Sequence, residues 1–528
     1  MTRIPLPIWR ENEGLYHSMP STNEQLEKLF VSNVQQTDGQ TVTTTENEER
    51  KTEWSTIYVT AGLAFSTAMQ FSLYFSSLWP FLQILDAEIR PDFFGYVVAI
   101  YSLGQIIASP LVGYWSNRIK QIRLPLYTNI ALMLVGNFIY LSLEVIPSHR
   151  KHWLLFGRLI TGFGSSNISL LKAYTTTATV ASDRSRGIAY VTGAVTVGMI
   201  LGPAFQLAFV GLDYPGYSLP FKYQFHLYTA PAYGACLSNI FCLLIVRFLF
   251  RENEVGLLTQ TTDTGNKVKL PPYDFVAIAV CYLTRFTQIF VHTNIETLSA
   301  PLSMAIFAWS KHDVVEFIAI SQAAMSGLAL LIYFLFIVFK ADRFLSFRLC
   351  CVLALGGLAC FYLITFSYPF LPQPIKTFHH NDSVVNGGEL LGCDSDRYRW
   401  CFDFKYVNVF LYYAAYIFFV GISFSSINIC LNTLFSKVIG PRRQAFQQGC
   451  LQVSGGVARM IGPILVSYVF LNYGPRFVYI IVLFVIVLNL SLFILCYKRM
   501  VPLRITEDST TYDQLSADDD AKSKQTEA

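Results

Sequence analysis

The chain has 528 residues, of which 53 % are apolar, 15 % aromatic and only 14 % charged, with a net charge of +4 and a mean hydropathy of +0.41. Soluble domains carry about 25 % charged residues, so an ordinary soluble protein is excluded and an all-α polytopic membrane protein is expected. There is no Walker loop, no Gly-x-Ser-x-Gly elbow and no paired-histidine metal motif, so no enzyme, cofactor, metal or nucleic-acid partner is expected.

Residues 1–53 are polar, with nine acidic and five basic side chains. Such a segment buries too little apolar surface to fold alone, and a disordered tail is expected. It carries no cleavable signal pattern, which leaves the first span as the signal anchor. Twelve apolar segments follow, at 57–82, 93–114, 124–144, 153–177, 187–210, 227–249, 273–298, 313–339, 346–368, 405–435, 449–471 and 475–497. A membrane-crossing helix needs about 20 mostly apolar residues. The expected plan is a six-span half at 54–249, a linker at 250–272, and a second half at 273–502 that includes the loop 369–404. A second disordered tail, acidic like the first, occupies 503–528.

An even number of spans puts both tails on one side. The loops on that side hold Arg118, Lys120, Arg123, Arg184, Arg186, Arg247, Arg251, Lys267, Lys269, Lys340, Arg343, Arg348, Lys437, Arg442 and Arg443. The opposite loops hold far fewer cations, so the tails are expected in the cytosol. Loop 369–404 then faces a lumen or the outside. Asn381-Asp382-Ser383 in that loop is a glycosylation sequon. Cys393 and Cys401 share the loop and can pair only in an oxidising compartment. The other nine cysteines lie in or beside the spans and read as small hydrophobes.

Spans five and eleven end alike, in "GMILGP" (198–203) and "ARMIGP" (458–463). Gly198 and Gly202 share a helix face and permit close approach. Pro203 and Pro463 each remove a helical hydrogen bond, and Gly462-Pro463 repeats Gly202-Pro203. Matched bending helices in two six-span halves are the mark of transporters built from repeats. They are expected to line a rocking interface between the halves.

"GMILGP", "GRLITGFG" (157–164) and "GYWSNR" (113–118) resemble the span-five, span-four and loop motifs of the major facilitator superfamily. "AIYSLGQIIASPLVGYWSN" (99–117), "ETLSAPLSMAIFAW" (296–309) and the stretch from "SKVIGPRRQ" to "ARMIGP" (436–463) resemble an endolysosomal branch of it. The resemblance covers roughly 54–500 and implies twelve helices in two pseudo-symmetric halves. It also implies a lysosomal or late endosomal membrane, the plasma membrane being the alternative, and a chloride conductance. The conformational gate would be Gly113, Asn117 and Arg118 in the first half, and Asp342 and Arg343 in the second. Asn117 stands where the superfamily usually has Asp, which puts the first gate in doubt. The acidic dileucine of the endolysosomal branch is absent. Tyr512-Asp513-Gln514-Leu515 fits the tyrosine-x-x-bulky pattern read by clathrin adaptors, and so does Tyr16-His17-Ser18-Met19.

A charge at membrane depth costs several kcal/mol and is a functional hypothesis by default. The deep charges are Arg158 and Lys172 in span four, Arg285 and Glu296 in span seven, and Arg459 in span eleven. Four of the five are cationic, and pores lined by Lys and Arg favour anions. Arg158 and Lys172 share a face if span four is one helix. Arg459 has the alternative of bonding carbonyls of its own helix, and Lys172 of snorkelling to headgroups. Arg285 could pair with Glu296, or Glu296 with an arginine of the other half. His292, four residues before Glu296, could carry a coupled proton with it. The substrate pathway is therefore expected at Arg158, Lys172, His292, Glu296 and Arg459, in a central cationic cavity between the halves of a protein embedded in the lipid bilayer. The solute would be a small anion, with a proton-coupled organic solute as the alternative and a non-transporting receptor or scaffold a weaker one.

Overall fold

In the computed structural model of the protein, the described residues are 51–503 apart from 75–77, 86–90, 181, 208, 210, 211, 213–215, 221, 222, 256–270, 310, 340–345, 380–390 and 397. All belong to one compact unit, Lys51–Ala528. Every apolar segment is helical. The first six spans are α1 (Trp54–Leu73) with α2 (Leu78–Leu85), α3 (Pro91–Ile119), α4 (Arg123–Leu141), α5 (Arg150–Gly164) with α6 (Asn167–Ala178), α7 (Arg184–Leu207) and α8 (Ala230–Phe248). The second six are α9 (Phe275–Phe307), α10 (Lys311–Val338), α11 (Phe347–Ile364), α12 (Val409–Ala415) continuing through a π turn into α13 (Gly421–Ile439), α14 (Ala445–Tyr473) and α15 (Pro475–Leu495). Among the described residues, nine helices are long and apolar enough to cross a membrane. Span four falls outside that set because it is split into helices of 15 and 12 residues, and buried polar side chains recur in α1, at Thr60, Thr67 and Gln70, and in α6, at Thr175, Thr176 and Thr177.

The two sets of six have separate cores. Two clusters, around Ile57, Leu126 and Val246 and around Tyr74, Phe81 and Tyr140, lie within the first set. The largest cluster, around Phe290, Leu355 and Phe435, lies in the second apart from Ala189. Helix termini leave backbone groups unpaired, and both sets solve this similarly. Arg123, opening α4, donates to the carbonyls of Val246, Arg247 and Phe250 at the end of α8. Glu252 in turn accepts from the amides of Ile122 and Arg123, at 2.8 and 2.6 Å. In the second set Arg348, opening α11, donates to the carbonyl of Tyr497 just beyond α15. The repeat is thus visible in tertiary contacts as well as in "GP" endings.

The glycines correct one expectation. A Cβ on Gly198 would lie 2.5 Å from the carbonyl of Phe65, and one on Gly202 would meet Ser72, both on α1. Gly462 faces Phe290 and Asn294 of α9. The span-five and span-eleven motifs therefore pack inside their own halves, not between them. Contact between the halves uses the other faces of the same helices. Gly449 of α14 lies against Ser109 and Pro110 of α3, Gly456 against Ile106, and Gly193 of α7 against Tyr333 of α10. Both helices run through their prolines as single helical elements.

Substituting Gly198 by Val should lower the melting temperature of the purified protein by several degrees, since overpacking costs about 1–3 kcal/mol. Gly449→Val should leave that temperature nearly unchanged. It should instead raise the accessibility of a probe cysteine placed between α3 and α14. Equal destabilisation by both would mean that the seam is part of the folding core.

Candidate functional site

The end of the bundle that carries Thr52, Lys437 and Leu503 is held shut by contacts between the halves and by two arginines of the second half that bind the linker. Gly113, expected in the gate, meets the backbone of Ala445 and Phe446 at the start of α14. Leu170 and Ala173 of α6 join Ala445 in a small buried cluster. Arg443 pairs with Glu254 of the linker. Arg442 donates to the Pro271 carbonyl at 2.7 Å, and partial burial pushes its pKa down from the ordinary guanidinium value. Arg118 is exposed in the last turn of α3, and Asn117 beside it is half-buried. Asp342 and Arg343 lie outside the described residues, as do Asn381, Tyr16, Tyr512 and Leu515.

Above that closure the seam collects cations. Lys172 on α6 and Arg285 on α9 are each only 8 % exposed. The two charges face each other electrostatically across the halves, and Arg285 also faces Arg459. Arg459 is the middle residue of α14. Its guanidinium lies 5.3 Å over the ring of Phe71 on α1, in the other half. Among the described residues, neither Lys172 nor Arg459 has a hydrogen-bond or ion-pair partner, so Arg459 does not bond carbonyls of its own helix. Lys172 points into protein rather than snorkelling, since every residue of α6 except Ile168 is buried.

Glu296 pairs with His292 at 3.4 Å, within α9, and feels the charge of Arg459 from the same half. It is half-exposed, while the His292 ring lies 4.4 Å from Phe424. Neither Arg285 nor an arginine of the first half is its partner. Arg285 donates instead to Gln288 at 2.8 Å and Asn428 at 3.2 Å.

Arg158 stands apart from Lys172. Span four breaks at Ser165 and Ser166, where short i→i+3 bonds interrupt the helix, so a face shared over fourteen residues does not exist. Arg158 instead lies 4.8 Å over Tyr74 and 5.7 Å over Tyr101, and its Nε is buried without a partner among the described residues. Tyr101 lies against Phe71, the ring centres 5.1 Å apart and the planes tilted by 39°. Aromatic rings of the first half thus separate Arg158 from Arg459. Around Arg158, "GRLITGFG" works as a packing motif. Gly162 meets the Tyr101 carbonyl of α3, and Gly164 meets Asn129 and Met133 of α4.

The Major Facilitator Superfamily profile matches residues 60–375 and 400–516. The chain belongs to the major facilitator superfamily. It is 30 % identical over 506 residues to Major facilitator superfamily domain-containing protein 8 of Xenopus laevis, covering 89 % of this chain and 95 % of that protein. Its fold is similar to that of the human organic anion transporter MFSD10 (TETRAN), with a TM-score of 0.57 and 15 % identity over 83 % of this chain and 99 % of the other. It is equally similar to the proton:xylose symporter XylE, with a TM-score of 0.58 and 14 % identity over 85 % and 96 %. The protein is a membrane transporter of this superfamily, with its helical fold, and not an enzyme.

Opposite the closed end, Cys393 and Cys401 form a disulfide with Cα atoms 5.9 Å apart. It anchors a folded loop. Residues 377–378 pair in parallel with 393–394, and Trp400 packs on Gly474 and Phe470 at the junction of α14 and α15. Sequence reasoning missed the amide network around Arg285, because Gln288, Asn428 and Tyr333 carry no motif.

Cys393→Ser should cost about 2–4 kcal/mol, the usual worth of such a crosslink, read as a lower melting temperature. In sealed cell-derived vesicles, the freed Cys401 should react with an impermeant thiol reagent only from the side opposite the tails. Labelling from the tail side would overturn the expected topology.

Proposed function

We propose that this transporter moves small anions through the seam between its two halves, with chloride as the first candidate. The observation that carries the reading is Arg459. It is a cation at the middle of α14 that lies over an aromatic ring of the opposite half and has no hydrogen-bond or ion-pair partner among the described residues. Lys172 supplies a second unpaired cation from the first half. A charge in such a setting is costly unless a mobile counter-ion visits it. Two cations on opposite halves would let one anion bridge the seam and follow it as the halves, 54–249 and 273–502, rock against each other. Gly113, Asn117 and Arg118, with Asp342 and Arg343, would gate the tail end. The glycines at 198, 202 and 462 with Pro203 and Pro463 would keep each half rigid in the movement.

The endolysosomal placement rests on the sequence resemblance, the disulfide-bonded loop with its sequon at Asn381, and the adaptor pattern Tyr512 to Leu515. Both tails would be cytoplasmic. A proton-coupled organic anion is the second reading, favoured by the His292–Glu296 pair beside Arg459.

In proteoliposomes, wild-type protein should pass chloride without a pH gradient, and Arg459→Gln should reduce the flux about tenfold or more. Flux that requires a proton gradient and disappears in Glu296→Gln would replace the first reading by the second. Absence of chloride flux under every gradient would overturn the chloride assignment.

A further inference from the structure

Arg285 differs from the other two seam cations in how it is held. Its guanidinium donates to two amide oxygens, Gln288 Oε1 at 2.8 Å and Asn428 Oδ1 at 3.2 Å. Both amides are themselves anchored. Gln288 Nε2 donates to the carbonyl of Phe424 at 2.9 Å, and Asn428 Nδ2 to the hydroxyl of Tyr333 at 3.1 Å. Asn432 adds a bond to the Asn428 carbonyl oxygen of the backbone. Tyr333 in turn packs on Gly193, on α7 of the other half. Gly455 of α14 lies 3.4 Å from Arg285 Nε, measured from where its Cβ would stand, so a larger residue would press on the guanidinium.

Amide ligands satisfy a guanidinium's donors and leave its charge intact. An arginine kept only for structure in a membrane interior is best served by a carboxylate, which cancels the charge as well. Asn428 and Asp have the same shape, as do Gln288 and Glu, so a carboxylate would fit at either position. The fold has neutral groups at both. Lys172 and Arg459 raise the local positive potential further. Resting on the anion-pathway reading, we propose that Arg285 is the selectivity-determining residue of the pathway, with Gln288 and Asn428 as positioning residues that present its charge uncompensated to a small anion. The chain from Asn428 through Tyr333 to α7 makes that presentation depend on closure of the halves.

The test replaces an amide oxygen by a carboxylate without changing shape. Purified wild type, Asn428→Asp, Gln288→Glu, Arg285→Lys and Arg285→Gln are reconstituted in planar bilayers, and chloride-over-sodium selectivity is read from the reversal potential in a salt gradient. Selectivity should fall about tenfold in Asn428→Asp and in Arg285→Gln, and stay within about twofold of wild type in Arg285→Lys. The melting temperature of Asn428→Asp should be unchanged or higher, because it gains an ion pair; a merely structural role predicts the same stability with no loss of selectivity. If Asn428→Asp does not fold, Gln288→Glu carries the test with the same expectation. A folded carboxylate variant with wild-type selectivity overturns this assignment alone, provided wild type conducts and Arg459→Gln does not. A wild-type protein that moves no anion overturns the pathway reading and this assignment with it.

Discussion

Uncompensated positive charge at the seam is the constraint around which the rest of the molecule is arranged. Three cations, Lys172, Arg285 and Arg459, lie within one another's fields, and no carboxylate pairs with any of them among the described residues. Burial of an unpaired charge is strongly unfavourable, so the fold must supply that free energy elsewhere. It does so through two independently packed cores and through termini tied by Arg123, Glu252 and Arg348. Rigid halves are what allow an unfavourable centre to persist instead of collapsing onto a salt bridge.

Helices α7 and α14 reconcile rigidity with movement by using two faces. One face of each packs glycine against the first helix of its own half, at Gly198 and Gly202 on α1 and at Gly462 on α9. The other face meets the opposite half, at Gly193 and Tyr333 and at Gly449 and Ser109. Contacts through bare backbone have no interlocking side chains to unpick, so such a surface can separate at low cost, while the first face is kept. Close approach therefore serves opposite ends on the two sides of one helix. A repeated Gly-Pro alone does not tell which.

Much of the fold was legible because the bilayer imposes it. Twelve apolar runs, the polar tails and the asymmetry of basic loops are direct consequences of length and desolvation, and each run is built of helix, in one piece or in two. The deep charges were legible for the same reason, being rare and costly. Their partners were not. Span four reads as one segment of 153–177, yet it breaks at Ser165 and Ser166, and that separates Arg158 from Lys172. Helical phase put His292 and Glu296 on one face, and they meet because both lie on one unbroken helix, whereas the arginine partner expected for Glu296 is not found among the described residues. It could not find Asn428 beside Arg285, since relative rotation of α9 and α13 is set only by tertiary packing. Asn and Gln are also unremarkable in a polar-lined span, so no local pattern marks them.

The repeat gives the seam its polarity. With Gly202-Pro203 and Gly462-Pro463 in register, Arg459 stands opposite Met199, and Lys172 stands opposite Asn432. Each half thus carries a cation where the other carries a neutral side chain, on a different helix of the pair. Had the charges stayed symmetric, four cations would face one another around the axis and repel the halves apart. With the charges exchanged, one cation per half remains in these positions, and Arg285 is the addition that breaks the balance. Its neutral ligands then acquire a reason. Asn428 is tied to Tyr333, which packs on Gly193 of α7, so the surplus charge is held by second-half ligands that touch the other half through Tyr333. A fold that merely tolerated Arg285 would have gained more from a carboxylate at the same distance; one that uses it needs the amide.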